Sequence, residues 1–196
     1  MRKLILQMQV SVDGYVGRPS GGPDWQLWDW GDKCPWDDTL KADFNGFFEA
    51  ADTILLSSKI ADGYIRHWAE FAEKHPRRPD FAFARRIGEN RKIVFSRTLK
   101  ESRWPRAELA AKPLVEELGR LKAQTGKNII AFGGAGFAAE LIDDDLVDEF
   151  QFYTNPIALH AGLSIFEKKG VDLKLLSSTP YGCGIVVSRY APSGRA

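Results

Sequence analysis

Two periodicities alternate along this chain. Leu4–Val12 holds β-compatible residues with some alternation and predicts an opening strand. Lys41–Ala51 places Phe44, Phe47 and Phe48 at i, i+3 and i+4, the spacing of one helix face. Thr53–Leu56 is a short apolar run and predicts a buried strand. From Ile60 to about Asn90 the pattern is mostly helical, rich in Arg and Lys, and broken by Pro76 and Pro79. Lys92–Phe95 predicts a further strand. Pro113–Gln124 is an amphipathic helix with Leu114, Leu118 and Leu121 on one face, closed by Gly126. Ile129–Phe132 is an apolar strand run that turns through Gly133 and Gly134 into a helix-forming segment reaching Leu141. Val147–Thr154, Leu173–Ser177 and Gly184–Ala191 predict three closing strands, the last two antiparallel.

Strands alternating with helices over the first two thirds imply a parallel sheet, and a hairpin-like end makes the sheet mixed. The expected class is α/β. At 196 residues, one domain over 1–196 is expected, with 192–196 as a frayed tail. One segment breaks the rhythm. Gly14, Gly17, Pro19, Gly21, Gly22 and Pro23 open a long loop from about residue 14 to 38 that carries Trp25, Trp28, Trp30 and Trp36. A loop of this length is functional or disordered, and four indoles argue against disorder. Either it packs as a lid or it forms a wall facing the substrate.

Composition narrows the functional classes. Hydrophobic residues make up 44% of the chain, enough for a sizeable core. The 27 basic and 26 acidic residues nearly cancel, so no global field steers the protein onto nucleic acid or an acidic membrane. No apolar window is long enough to span a bilayer, and Met1–Val10 is too short for a signal peptide. Cys34 and Cys183 form neither a zinc nor a redox spacing, so a reducing cytoplasm is expected. His67, His75 and His160 do not cluster, and no metal site is predicted. The acidic run Asp143, Asp144, Asp145, Asp148 and Glu149 reads as a solvated turn. Arg77, Arg78, Arg85, Arg86 and Arg91 read as a solvated helix face.

Chemistry is expected at the carboxyl ends of the strands, where open α/β sheets bind ligands. Three predicted ends carry small, polar or basic residues: Ser57-Ser58-Lys59, Ser96-Arg97-Thr98 and Gly133-Gly134. A strand turning through glycines into a helix N-terminus suits an anion, because the first helical amides lack partners and the dipole favours negative charge. Together these ends fit a dinucleotide laid across the sheet.

With these residues the chain resembles the dihydrofolate reductase superfamily. It is most similar to the reductase domain of the bifunctional riboflavin-synthesis deaminase–reductase and its stand-alone bacterial relatives. The resemblance rests on Gln9-Val10-Ser11-Val12-Asp13-Gly14-Tyr15-Val16, Val94-Phe95-Ser96-Arg97-Thr98-Leu99 and Phe132-Gly133-Gly134-Ala135-Gly136. It continues in Leu146–Phe150, Asn155-Pro156-Ile157 and Gly162–Phe166. It implies a three-layer α-β-α sandwich with a mixed, mostly parallel central sheet. It also implies hydride transfer from NADPH to a C=N or C=O bond of a pterin-like, pyrimidine or other small substrate, and a homodimer.

Roles follow at matching positions. Gly133 and Gly134 would line the pyrophosphate through a cis peptide bond, with Ala135 and Gly136 in the same cofactor site. Ser96, Arg97 and Thr98 would hold the adenosine ribose and its phosphate, which favours NADPH over NADH. Asp13, Gly14 and Val16 would close over the nicotinamide. Ala42-Asp43-Phe44 stands where a helix carboxylate handles the proton, and Thr154 matches the hydroxyl that supports it. Asp43 is therefore expected beside apolar walls, with its pKa raised by desolvation.

Two departures from the family pattern stand out. Ser57-Ser58 replaces the usual Gly-Arg, leaving Lys59 as the nearby cation for the cofactor phosphates. His160-Ala161-Gly162 replaces Gly-x-Gly. No cytidine-deaminase zinc motif occurs, so the deaminase half of the bifunctional enzyme is expected to be absent. Two other readings stay open: a non-catalytic nucleotide-binding protein that keeps the fold, and a flavin-binding oxidoreductase whose tryptophan loop stacks the flavin.

Overall fold

The computed structural model describes residues 1–27 and 35–194. It falls into two compact units. One holds residues 1–4 and 41–134, the other 5–40 and 135–196.

The first unit is built on four parallel strands. β2 (Ala51–Ser57) lies between β3 (Arg91–Phe95) and β5 (Asn128–Ala131), and β4 (Ala107–Leu109) pairs with the outer side of β3. Ile54, Leu55 and Leu56 are all fully buried, as expected of a strand covered on both faces. The helices are α1 (Asp38–Glu49, in this unit from Lys41), α2 (Ser58–Lys74), α3 (Ala82–Glu89) and α4 (Leu114–Ala123). A short 3₁₀ turn at Pro79–Phe81 precedes α3, so the two prolines do split the predicted helical stretch. The rings of Phe44, Phe48, Trp68, Phe71, Phe81 and Phe83 pack as one aromatic core, largely edge to face.

Two buried cations are held locally. Arg2 is paired with Asp52 and donates to Thr53 Oγ1 at 2.7 Å and to the Lys127 carbonyl at 2.6 Å. Lys92 donates from Nζ to the carbonyls of Gly88 and Asn90 at 3.1 and 2.8 Å, closing the C-terminal end of α3. Burial, helped by nearby Arg106, lowers the Lys92 pKa to about 8.

The second unit joins β1 (Leu4–Ser11, here from Ile5) in parallel to β6 (Glu149–Asn155). β8 (Val186–Pro192) runs antiparallel to β6, and β7 (Leu173–Pro180) antiparallel to β8. The apolar helix α5 (Ala135–Asp143) buries Phe137, Ala138, Leu141 and Ile142. Most of these strand pairs are thus parallel, and the antiparallel ones are those that β8 makes with β6 and β7. Pro192, expected in a frayed tail, instead ends β8 opposite Leu173, and the Ser193 amide donates to Asp172 at 2.7 Å.

The described part of the tryptophan loop is packed down at both of its described tryptophans. Trp25 and Trp36 are buried, and Trp36 stacks on Tyr153 with centroids 5.5 Å apart. Buried Asn155 anchors this loop by accepting the Leu27 amide at 2.7 Å. Trp28, Trp30 and Cys34 lie outside the described residues.

Candidate functional site

In the first unit the parallel register brings the three predicted strand ends to one edge. Ser57 lies opposite Phe95, and Leu55 opposite Ala131, so β2, β3 and β5 finish side by side. Each end continues differently. β2 passes directly into α2: Ser57 is its N-cap residue, with φ −78° and ψ 149°, and Ser58 opens the helix. The Ser57 side chain makes no cap hydrogen bond, and the first turn contains no acidic residue. Lys59 stands in that turn instead, at the positive end of the dipole. Free amides, a hydroxyl and an ammonium at one helix start form a donor set that suits an anion.

After β3, Ser96 Oγ accepts the Thr98 and Leu99 amides at 3.3 and 3.0 Å and fixes a tight turn. Arg97 and Thr98 are exposed on that turn. The following segment is tied to α2 by the Trp104 indole, which donates to Asp62 at 2.8 Å. After β5, Phe132 leads into a cis peptide bond between Gly133 and Gly134, as the resemblance implies. Gly133 has φ +94°, a conformation that side chains disfavour. At Gly134 packing makes no such demand. A Cβ there would meet only Ile60 Cγ2, at 3.9 Å among the described residues. A half-buried glycine that packing does not require fits an anion approaching the backbone closely.

In the second unit, Asp13 does something the sequence did not suggest. Its Oδ1 accepts the Ser11 hydroxyl at 2.6 Å and the Leu159 amide at 3.0 Å, and its Oδ2 accepts the His160 amide at 2.7 Å. The Ser11 hydroxyl, with the Leu159 and His160 amides, lowers the Asp13 pKa to about 2. The carboxylate thus staples the turn after β1 to the segment after β6. Around it, Val12 N donates to Ile157 O at 2.9 Å, Val16 N to Leu163 O at 2.9 Å and Leu163 N to Gly17 O at 2.8 Å. Gly14 supplies the turn with φ +85°. The departure at His160 now has a physical meaning. Its φ is +67°, the left-handed region that glycine fills at no steric cost. Gly162 stays glycine for another reason: a Cβ there would sit 2.3 Å from the Gly17 carbonyl oxygen.

The remaining predicted residues belong to other elements of the two units. Asp43 is exposed on α1 in the first unit, rather than enclosed by apolar walls. Thr154 is half-buried in β6 of the second unit, between Val10 of β1 and Val186 of β8. Ala135 and Gly136 are the first residues of α5. Among the described residues, no group of three or more His, Cys, Asp or Glu could hold a metal ion, and no helix is long and apolar enough to cross a membrane. Sequence reasoning passed over Tyr64. Its hydroxyl is buried without a hydrogen-bond partner among the described residues, and its ring stacks on Phe132 at 5.7 Å. The available signal was its position four residues after Ile60, on the same face of α2.

Comparison with known proteins decides the family. The model of the family described as the RibD C-terminal domain matches residues 2–187. The chain belongs to the RibD C-terminal domain family. Among curated relatives of this member, the uncharacterized protein YyaP of Bacillus subtilis is 29% identical over 197 residues, covering 98% of this chain and 96% of that protein. A solved structure of a putative riboflavin biosynthesis protein from Shewanella sp. PV-4 superposes with a TM-score of 0.70 at 19% identity, covering 97% of this chain and 99% of that one. Dihydrofolate reductase from Enterococcus faecalis, solved in complex with NADP(H) and RAB-propyl, gives a TM-score of 0.56 at 14% identity, covering 97% and 96%. At these identities the structures show the fold. This RibD C-terminal domain member has the three-layer, dihydrofolate reductase-like α/β fold with a mixed, mostly parallel sheet.

Proposed function

We propose that this chain is an NADPH-dependent reductase that transfers a hydride to a C=N or C=O bond of a small pterin-like, pyrimidine or related substrate, acting as one reductase-like domain. The carrying observation is the alignment of three strand ends on one edge of the first unit: the uncapped start of α2, the Ser96 turn and the Gly133–Gly134 turn. The donor set fits a dinucleotide. The Ser57 hydroxyl, the first amides of α2 and Lys59 would hold phosphate oxygens. Ser96 and Thr98 would meet the adenosine ribose, and Arg97 its phosphate. The half-buried backbone at Gly134, next to Gly133 and with no side chain on either, would admit the pyrophosphate, with Ala135 and Gly136 beside it in sequence. When bound, NADPH supplies the hydride.

The chain's own residues would orient the acceptor and deliver its proton. Asp43 remains the proposed proton-side carboxylate, and Thr154 a proposed catalytic hydroxyl. Asp13, with Gly14 and Val16, is proposed to shape the cofactor-facing loop, its carboxylate acting through the backbone it holds. A homodimer, which the family resemblance implies, is also proposed, and Leu175 and Leu176, exposed on β7, offer apolar surface for one. The test is oxidation of NADPH, followed by loss of reduced-nicotinamide absorbance, against dihydrofolate and riboflavin-pathway pyrimidines. Turnover with one of these, lowered in Asp43→Asn, is expected. Unchanged turnover in that variant removes Asp43 from the mechanism.

A second reading is a nucleotide-binding protein without turnover. Two observations favour it: serines stand where an arginine would face the phosphates, and Asp43 is exposed. Cofactor binding with no oxidation against the whole substrate panel would select it.

A further inference from the structure

One polar group in the first unit stands out. The Tyr64 hydroxyl is buried and has no hydrogen-bond partner among the described residues. An unpaired buried hydroxyl is unfavourable, so a phenylalanine would serve packing better at this position. Tyr64 is not isolated from the strand ends. It sits one helical turn after Ile60, the residue nearest a Cβ built on Gly134. Its own ring lies against Phe132, which directly precedes Gly133, at 5.7 Å and an interplanar angle of 27°. Phe132 in turn stacks on Phe48 at 5.5 Å and 13°, and meets Phe47 edge-on at 6.3 Å. Phe48 is buried, while Phe47, Phe132 and Tyr64 are only half-buried. The ladder therefore runs from core Phe48 to Phe132, where β5 ends, and Tyr64 beside it carries a buried donor that has no partner among the described residues.

We infer that the Tyr64 hydroxyl is a ligand-binding donor, and that its ligand is a planar heterocycle that lies along the Phe47, Phe132 and Tyr64 rings and offers a carbonyl or ring-nitrogen acceptor. This deepens the reductase reading and rests on it, since such a heterocycle is the hydride acceptor. Burial drives the phenol pKa well above its usual value, so Tyr64 keeps its proton at any working pH. It acts as a hydrogen-bond donor and orienting group rather than as an acid.

The experiment compares wild type with Tyr64→Phe. Binding of 6-methylpterin, uracil and nicotinamide is measured by calorimetry with and without saturating NADP⁺, and ligand-free thermal stability is recorded alongside. At least one heterocycle is expected to bind wild type and to bind Tyr64→Phe about tenfold more weakly, the loss of one hydrogen bond. Ligand-free Tyr64→Phe is expected to melt no lower than wild type, because it sheds an unpaired group. Equal affinity in both proteins, or no heterocycle binding wild type, overturns the inference. A markedly lower melting temperature for Tyr64→Phe also overturns it, because the hydroxyl would then be structural. NADP⁺ affinity is read separately. If NADP⁺ fails to bind, the reductase reading falls, while the cofactor-free titrations still judge Tyr64.

Discussion

Replacing Gly162 with alanine tests how tightly the turn after β1 is fastened in the second unit. The new Cβ would sit 2.3 Å from the Gly17 carbonyl oxygen and 2.8 Å from Tyr15 Cβ. A carbon–oxygen contact relaxes to about 3.3 Å, so the two backbones must part by roughly 1 Å. Gly17 O accepts the Leu163 amide at 2.8 Å, and Val16 N donates to Leu163 O at 2.9 Å. Stretching either bond by about 1 Å takes it outside hydrogen-bond range. Two backbone bonds at about 1 kcal/mol each, plus about 1–3 kcal/mol of overpacking strain, give a loss of about 3–5 kcal/mol. The control is the same change at Gly63 inside α2, where a Cβ meets nothing within 4 Å. There alanine should stabilise by about 0.5–1 kcal/mol through helix propensity. Urea denaturation of the three proteins reads both effects. Gly162→Ala within about 0.5 kcal/mol of wild type, the range of a neutral surface change, would refute the close approach.

Three further outcomes follow from named contacts. Asp52→Ala strands the buried Arg2 guanidinium and removes the acceptor of the Lys127 amide, so urea denaturation should show a loss of about 3 kcal/mol. A loss below about 0.5 kcal/mol, as for an exposed pair, would contradict this. Asp13 has a folded pKa of about 2, below its ordinary 3.8, so its staple contributes fully above pH 3.8 and fades as pH falls toward 2. Asp13→Asn should therefore be less stable than wild type at neutral pH, with the gap between urea midpoints closing between those pH values. A gap independent of pH would show that the carboxylate charge is irrelevant. Arg97→Ala should weaken NADPH binding about tenfold or more while leaving NADH binding nearly unchanged, as loss of a charge-assisted contact requires. Equal weakening of both cofactors would place Arg97 elsewhere than at the distinguishing phosphate.

The elements that sequence made legible are those with strong periods. Apolar runs announced β2, β3 and β5, and the leucine spacing announced α4. β4 escaped because Ala107–Leu109 is three residues long and makes no apolar run. Ser57-Ser58-Lys59 reads as a strand end, yet the same residues also start α2; a helix beginning without a loop leaves no turn signal. The role of Asp13 was hidden because its amide partners lie 146 and 147 residues away, and no local pattern reports such contacts. His160 was visible as a departure from Gly-x-Gly, but only its positive φ explains what the usual glycine does there. Tyr64 carries no sequence signal for its role, since an unsatisfied hydroxyl is a property of packing rather than of spacing.

The central claim is that the aligned strand ends of the first unit hold a nicotinamide dinucleotide with its extra phosphate. Calorimetric titration of the purified protein with NADPH and with NADH tests it most directly. The account predicts saturable NADPH binding, with NADH at least about tenfold weaker, as the missing charge-assisted phosphate contact implies. No heat of binding with either cofactor at millimolar concentration would contradict it.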